Sequence, residues 1–192
     1  MSFHQKSRAT CVALLMASLA HVSLAEDPAV PIGLQAELTA KIVGYDRNYS
    51  ARAAGKGKIL FLLKADDVGS TKVANQAKSA FASLADVGGA PHEESSMAYA
   101  SAKALADEVV KQKIAIVYVS SGLSGEMAGI AEALNGKDVL TVAAVASDVA
   151  RGAVLGFDLV SGKPKLLVHL TQAKKQNAAF RAEALKLMKV YE

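Results

Sequence analysis

The stretch Lys58–Lys64 (KILFLLK) decides the fold. All the residues between its two lysines are apolar, without the alternation of a strand that has one face in water. A continuous apolar run of this length is typical of a strand buried on both faces, as in parallel sheets covered by helices. Lys113–Val119 (KIAIVYV) and Asp138–Val145 (DVLTVAAV) repeat the pattern. The three runs predict a parallel sheet between two layers of helices.

Segments with apolar residues at helical spacing separate these strands. Gly33–Asp46 predicts a helix before the first strand. A second helix is predicted after Ser70, whose hydroxyl can cap its N-terminus. His92–Ser96 predicts a short strand, and further helices are predicted over 98–109 and 127–134. The alternation of strands and helices is the pattern of an α/β fold with a parallel sheet.

The pattern changes near the C-terminus. Ala153–Val160 and Lys165–Leu170 flank a turn that contains Gly162, which predicts a β-hairpin. A terminal helix is predicted from apolar residues on one face: Phe180, Ala184, Leu187, Met188 and Tyr191. The predicted fold is therefore α/β, with three layers, a mostly parallel sheet flanked by helices, a C-terminal β-hairpin and a terminal helix. Since the segment 26–192 contains no linker or repeat, we expect a single domain.

Residues 1–25 have the layout of a secretory signal peptide. Lys6 and Arg8 form a positive region, Cys11–Leu19 is a short apolar core, and Ser23-Leu24-Ala25 offers small residues for cleavage after Ala25. The apolar core is too short to span a bilayer as a helix. We therefore expect cleavage after Ala25 and a periplasmic location.

Removal of residues 1–25 changes the chemistry that is available. Lys6 and Arg8 are two of the 22 basic residues, so 26–192 keeps 20 against 18 acidic residues. This near balance, without a basic block, argues against nucleic-acid binding. The only cysteine, Cys11, also leaves, which excludes disulfides and thiol catalysis in the mature chain. No cluster of metal ligands is evident, and we expect neither a metal site nor a cofactor.

The loop Ser120–Gly125 (SSGLSG) is the first candidate site. It follows a buried strand and opens a helix, and in open α/β sheets ligands bind beyond the carboxyl ends of strands. Ser120, Ser121 and Ser124 could bind an anion there with the helix N-terminus. The alternative is structural, with Ser124 as a helix cap on a turn that needs glycine.

Two further segments are candidates for ligand or partner binding. Tyr45-Asp46-Arg47 follows the first predicted helix and combines aromatic and charged groups. Its structural alternative is a helix end at which Asp46 and Arg47 stabilise the turn. Arg151 precedes the hairpin and could bind an anion, since its guanidinium group matches carboxylates and phosphates, or form a structural ion pair.

A catalytic role for Ser121 or Ser124 requires a histidine base. His92 and His169 are the histidines that remain after residue 25, and the loop lacks the Gly-x-Ser-x-Gly elbow of hydrolases. We therefore predict no catalytic residues and a protein that is not an enzyme.

Several of these segments resemble the YfiR-like family of exported bacterial proteins. The resemblance lies in Leu34–Asn48 (LQAELTAKIVGYDRN), in the KILFLL strand and in the closing stretch Arg151–Leu187. The closing stretch is the most specific, with Gly152–Asp158 (GAVLGFD), a glycine turn, a strand that ends at His169-Leu170, and a final helix. The likeness covers the mature chain in order.

The resemblance implies a periplasmic α/β domain that represses a membrane-bound diguanylate cyclase by contact with its periplasmic part. Release of the cyclase raises cyclic di-GMP and promotes biofilm formation. Redox behaviour of members with cysteine pairs does not carry over to a mature chain without cysteine. We expect a regulator whose partner is the periplasmic domain of a membrane signalling protein, a cyclase or a sensor kinase, with a possible envelope ligand and possible homo-oligomers. The alternative hypothesis is a periplasmic protein that binds a small anionic ligand.

Overall fold

The computed structural model describes residues 26–192; the predicted signal peptide with Cys11 lies outside the described residues. The helices are α1 Ile32–Val43, α2 Tyr49–Ala53, α3 Val68–Ala82, α4 Ala102–Gln112, α5 Met127–Ala133, α6 Leu170–Lys175 and α7 Ala182–Leu185. The strands are β1 Gly57–Lys64, β2 His92–Tyr99, β3 Ile116–Val119, β4 Leu140–Ala143, β5 Leu155–Val160, β6 Lys163–His169 and β7 Met188–Tyr191.

These strands form one seven-stranded sheet in the order β2-β1-β3-β4-β5-β6-β7. The first five strands in this order are mutually parallel. β6 is antiparallel to β5, as the predicted hairpin requires, and β7 runs parallel to β6. The predicted α/β fold with a mostly parallel sheet is confirmed.

The two faces of β1 contribute to two separate hydrophobic cores. Ile59 and Phe61 lie in the core on the side of α1 and α3, whereas Leu60 and Leu62 lie in the core on the side of α4 and α5. All four side chains are almost completely buried. Side chains alternate across a strand with a period of two, so a strand covered on both faces must be apolar at every position. This is the physical reason for the KILFLLK pattern.

A buried polar contact fixes α1 on the sheet. The Gln35 side-chain amide donates to the Val30 carbonyl at 2.9 Å and to the Ala144 carbonyl at 3.1 Å. Its Oε1 accepts a hydrogen bond from the Tyr118 hydroxyl at 2.8 Å. Gln35 and Tyr118 are fully buried, so each of these polar groups needs a protein partner.

Two predicted boundaries are wrong in the region 67–101. Asp67, not Ser70, caps α3, since its carboxylate accepts from the Ser70 N–H at 2.8 Å. Ala98 belongs to β2, which is longer than predicted, and α4 begins after Ser101, which caps it through the Ala104 N–H. In both cases a polar residue just upstream supplies the cap and shifts the helix start.

The predicted terminal helix is wrong as a continuous element. Asn177 adopts a left-handed conformation just beyond α6, and the chain then runs extended past Phe180, which forms a bridge with Asp46. After the short α7, Met188–Tyr191 forms β7 along β6. Apolar residues at helical spacing misled the prediction because the free edge of β6 offered backbone partners that only the tertiary fold creates.

Candidate functional site at the switch point of the sheet

The strand order reverses between β1 and β3, so the carboxyl ends of these two strands form the switch point of the sheet. The chain leaves β1 towards β2 on one side and later enters β3 on the other, and the helices that follow β1 and β3 pack on opposite faces of the sheet. In open α/β sheets ligands bind at such a switch point. We call this region, formed by 64–70 and 120–126, the switch-point crevice.

Ser120 lies at the floor of the switch-point crevice in a closed hydrogen-bond chain. The Lys64 N–H donates to Ser70 Oγ at 2.8 Å, and Ser70 Oγ lies 2.7 Å from Ser120 Oγ. Ser120 Oγ in turn donates to the Leu62 carbonyl at 2.8 Å. Both serines are fully buried. The chain joins the two sides of the crevice and leaves Ser120 bonded within the protein.

Ser121 differs from its neighbour. Its side chain is 1% exposed, and its hydroxyl has no hydrogen-bond partner among residues 26–192. A buried hydroxyl without a partner is uncommon, because its lost hydration is not replaced. Ser121 is therefore the candidate residue with an unused hydrogen-bonding group at the crevice.

Gly122 brings the loop against the N-terminus of α3. Its φ is +86°, and a Cβ at this position would lie 2.8 Å from Asp67 Oδ2. Glycine is thus required twice, for its conformation and for the close approach of the Asp67 carboxylate. Any larger residue at 122 would have to displace the cap of α3.

The charges around the switch-point crevice do not favour an anion. The Asp67 carboxylate already occupies the N-terminus of α3, where an anion would otherwise bind. Across the crevice, Glu126 lies 3.5 Å from the Lys64 ammonium group and neutralises it. The helix N-terminus that the sequence suggested for an anion is that of α5, and the residue at its N-cap position is the acidic Glu126.

Arg151 and Ser124 meet at Asp148, which follows β4. Arg151 Nη1 donates to Asp148 Oδ1 at 3.2 Å and to Ser147 Oγ at 2.7 Å. Burial raises the pKa of Asp148, and the nearby Ser124 hydroxyl and Arg151 guanidinium group oppose this shift. Ser147 also contacts Glu26 at 2.8 Å. Arg151 thus forms the structural ion pair that was one of its two sequence interpretations.

The remaining candidates are Tyr45, Asp46 and Arg47. They lie at the amino edge of the sheet, where the parallel strands begin. Asp46 is buried and forms an ion pair with Arg52, whereas Tyr45 and Arg47 are exposed and use backbone groups to hold the segment 179–181. The structure therefore brings Ser120, Ser121, Ser124 and Arg151 to one edge and does not join them to Tyr45-Asp46-Arg47.

Sequence reasoning missed the partners of these residues. Arg52 Nε also contacts Asp138 Oδ1 at 3.0 Å, and its Nη2 donates to the Asn177 carbonyl at 3.0 Å. These residues stand in three segments far apart in sequence, and Arg52 lies within an unremarkable helical run. The only sign of a buried ion pair in the local sequence was that Arg52 is a charged residue among alanines, in Ala51-Arg52-Ala53-Ala54.

Neither histidine contacts the serine loop. His92 hydrogen-bonds to Glu94 and lies near the Leu84 carbonyl at the start of β2, and His169 caps α6 by accepting from the Gln172 N–H. Over 26–192, no three His, Cys, Asp or Glu side chains are grouped to hold a metal ion. In the same range no helix is long and apolar enough to cross a membrane.

The family is decided by a match to the model of DUF4154, described as YfiR/HmsC-like, over residues 36–189. The chain belongs to the YfiR/HmsC-like family. The match runs from within α1 to the start of β7 and includes strands β1 to β6 with the hairpin, and it confirms the resemblance read from the sequence. Membership suggests a periplasmic regulatory role. No curated protein matches the chain.

Solved structures show the same fold at low sequence identity. A conserved domain protein from Vibrio cholerae aligns with a TM-score of 0.59 at 13% identity, over 84% of this chain and 60% of that one. An ABC domain from Streptococcus pneumonia in complex with L-Trp has a TM-score of 0.59 at 11% identity, over 84% and 62%. CD0873, a substrate binding protein from Clostridium difficile, gives 0.59 at 12%, over 85% and 60%. The YfiR/HmsC-like chain spans about three fifths of the length of these proteins, and the likeness concerns the fold.

Proposed function

We propose that this YfiR/HmsC-like protein is a non-catalytic periplasmic regulator that binds the periplasmic domain of a membrane-bound signalling enzyme. The observation that carries the proposal is the family match over residues 36–189. The enzyme is a diguanylate cyclase or a sensor kinase, and with a cyclase the output is cyclic di-GMP and biofilm formation. The signal peptide predicted over residues 1–25 supports this proposal, because export would bring the domain into the compartment of such a partner.

Regulation of this kind requires unequal affinity for two states of the partner. A protein that binds the inactive state more tightly shifts the enzyme towards that state, whereas equal affinity shifts nothing. A tenfold preference corresponds to about 1.4 kcal/mol. The mechanism therefore needs a contact surface and no chemical step in this chain.

A basic groove at the amino edge of the sheet is the surface that we assign to this contact. It has a volume of about 840 Å³ and lies between α2, the end of α4 and the segment 136–138. Its rim carries Lys56, Lys58, Lys113 and Lys137. Lys113 and Lys137 form no ion pair with any residue of 26–192, whereas Lys56 and Lys58 share Glu93.

The groove also presents an apolar side chain. Val110 in α4 is 62% exposed and lies on the groove wall beside Ile114. An exposed apolar residue in a groove that carries the unpaired lysines Lys113 and Lys137 suits an acidic partner segment with one apolar anchor. We therefore propose an acidic segment of the membrane enzyme as the occupant.

The test measures binding and signalling together. A strain that carries the candidate membrane enzyme should show lower cyclic di-GMP when the full-length protein is expressed. A version without residues 2–25 should have no effect, because it stays in the cytoplasm. Purified 26–192 should bind the isolated periplasmic domain in calorimetry, and an absence of both binding and signalling change would overturn the proposal.

Charge reversal then tests the groove. Lys113→Glu with Lys137→Glu should weaken binding at least tenfold and make the remaining affinity less dependent on salt. The matched control is Lys163→Glu with Lys165→Glu on the hairpin, where both lysines lie far from the groove in the sheet order. Equal losses for the two double variants would exclude the groove as the contact surface.

A second candidate function is binding of a small ligand in the switch-point crevice. The observation that favours it is the buried Ser121 hydroxyl without a protein partner among residues 26–192. Thermal-shift measurements with a panel of neutral and charged metabolites should then find a ligand that stabilises the wild type but not Ser121→Ala. A panel without any stabilising compound would count against this function.

A further inference from the structure

The two outermost strands of the sheet, β2 and β7, differ in a way that points to self-association. β7 closes one edge with only the four residues Met188–Tyr191, including Lys189. Short edge strands and lysine side chains are devices that prevent edge-to-edge pairing. The other edge is β2, which pairs with β1 over eight consecutive residues without a bulge. β2 contains neither proline nor lysine.

The outer side of β2 carries unpaired backbone groups. The Pro91 carbonyl accepts from the Gly57 N–H at 2.8 Å, so the odd-numbered residues of this segment direct their backbone groups towards β1. Because these directions alternate along a strand, the even-numbered residues His92, Glu94, Ser96 and Ala98 direct theirs outward. No strand of 26–192 lies beyond β2 to bond with them.

The side chains of β2 leave the middle of this edge open. Ser95 and Ser96 are exposed, as is Ala98, and all three are small. The bulkier and charged groups lie towards the ends: Glu93 pairs with Lys56 at 2.7 Å at one end, and Tyr99 packs against the core at the other. Another backbone can therefore approach the centre of β2 without displacing a large side chain.

We infer that β2 pairs with β2 of a second copy of this chain, antiparallel and with Ser95 opposite Ser95 on a two-fold axis. This register joins outward-directed residues to each other, Glu94 with Ser96 and His92 with Ala98, and forms about eight backbone hydrogen bonds. The two seven-stranded sheets then become one continuous sheet. The interface is isologous, as a two-fold dimer requires.

The charge pattern fits a second copy as the occupant, because each acidic residue of β2 can lie opposite an uncharged residue of the other copy. The length of β2 favours Ser95 over Ser96 as the centre, since a register about Ser96 would set His92 opposite Ala100, outside the strand. The acidic residues Glu93 and Glu94 lie in one half of β2, and the other half, Met97–Tyr99, carries no charge. Antiparallel self-pairing about Ser95 sets Glu93 opposite Met97 and Glu94 opposite Ser96. A register centred on Glu94 would instead place like charges directly opposite each other, which is destabilising.

Cysteine cross-linking tests the register directly, because residues 26–192 contain no cysteine. Opposed residues of a non-hydrogen-bonded antiparallel pair have Cα atoms about 4.5 Å apart, within the range of a disulfide. Ser95→Cys should form a disulfide-linked dimer on mild oxidation. Ser83→Cys, exposed at the end of α3, is the control and should remain monomeric on a non-reducing gel. Failure of Ser95→Cys to cross-link would overturn the inference.

A proline at the edge tests the pairing without an added thiol. The Ser96 N–H points away from β1, so Ser96→Pro removes an outward donor and leaves the β1–β2 ladder intact. The wild type and Ser96→Thr should show a monomer–dimer equilibrium in sedimentation velocity at micromolar concentration, and Ser96→Pro should be monomeric with an unchanged circular dichroism spectrum. A wild type that stays monomeric, or a dimeric Ser96→Pro, would contradict β2 pairing. Neither result bears on the proposed regulatory contact at the basic groove.

Discussion

Oδ2 of Asp46 lies 2.8 Å from Nη1 of Arg52, and both side chains are almost fully excluded from solvent. Asp46 Oδ1 accepts in addition from the backbone N–H groups of Asn48 and Ala179. One carboxylate therefore holds together the turn after α1, the helix α2 and the segment that leads to β7. The Asp46–Arg52 pair therefore stabilises the packing of these three segments at the amino edge of the sheet.

Removal of one partner of this pair should be strongly destabilising. Asp46→Ala leaves the Arg52 guanidinium buried without its main counter-charge and also leaves two backbone donors unpaired. We expect a loss of about 3–5 kcal/mol in the free energy of unfolding, measured by urea denaturation. The control is Asp107→Ala, whose exposed pair with Lys103 should contribute about 1 kcal/mol at most. Similar losses for both variants would show that the buried pair has no special role.

Asp148 should make stability depend on pH in the direction opposite to a carboxylate whose pKa is lowered by folding. Burial raises the pKa of Asp148 in the folded protein, so the folded protein binds this proton more tightly than the unfolded chain. Its contribution to stability therefore grows as the pH falls through the folded pKa towards the unfolded value near about 3.9.

Asp148→Asn removes this contribution. The variant should gain stability relative to wild type at pH 7, and the gain should shrink as the pH is lowered towards 4. Thermal unfolding of both proteins across this range measures the difference, with Asp107→Asn, an exposed carboxylate, as the control. A gain that increases as the pH falls would contradict the assignment.

Gly122 should be intolerant of substitution, unlike Gly125 in the same loop. Gly122→Ala introduces a Cβ about 2.8 Å from Asp67 Oδ2 and forces a non-glycine residue to a φ of +86°. The conformational part alone should cost roughly 1–2 kcal/mol, and displacement of the α3 cap should add to it. Gly125→Ala meets no atom within 4 Å and should have little effect on the midpoint of urea denaturation.

The two neighbouring serines should respond differently to removal of their hydroxyl groups. Ser120→Ala leaves Ser70 without its partner in the buried hydrogen-bond chain and should cost about 1–3 kcal/mol. Ser121→Ala removes a buried hydroxyl that has no partner within 26–192, so it should be neutral or slightly stabilising. The midpoint of thermal unfolding separates the two, and a large loss for Ser121→Ala would reveal a bond that the structure does not show.

The Tyr118 hydroxyl should matter for the attachment of α1. Tyr118→Phe leaves the Gln35 side-chain oxygen without its donor in the core, which should cost about 1–3 kcal/mol in urea denaturation. Tyr45→Phe is the matched control, because Tyr45 is 44% exposed and its side chain makes no such bond with residues 26–192. Protection of α1 amides from hydrogen exchange should fall in the first variant and not in the second.

By itself, the sequence determined the parallel core and the α/β class. Strands buried on both faces must be apolar at every position, so KILFLLK and its two counterparts could be recognised without knowledge of their neighbours. The glycine turn around Gly162 likewise predicted the hairpin. The turn needs a positive φ, which glycine adopts easily, so this requirement can be recognised from the local sequence. The signal peptide over residues 1–25 stays a prediction.

Only the tertiary structure decided which polar residues meet and where the last segment lies. Asp46, Arg52, Asp138 and Asn177 come together from distant segments, and no local pattern encodes their distances. Met188–Tyr191 is a strand because β6 offers it a backbone ladder, although its apolar spacing suits a helix. Pairing partners, buried ion pairs and free edges are properties of the assembled sheet, and they locate both the switch-point crevice and the open edge of β2.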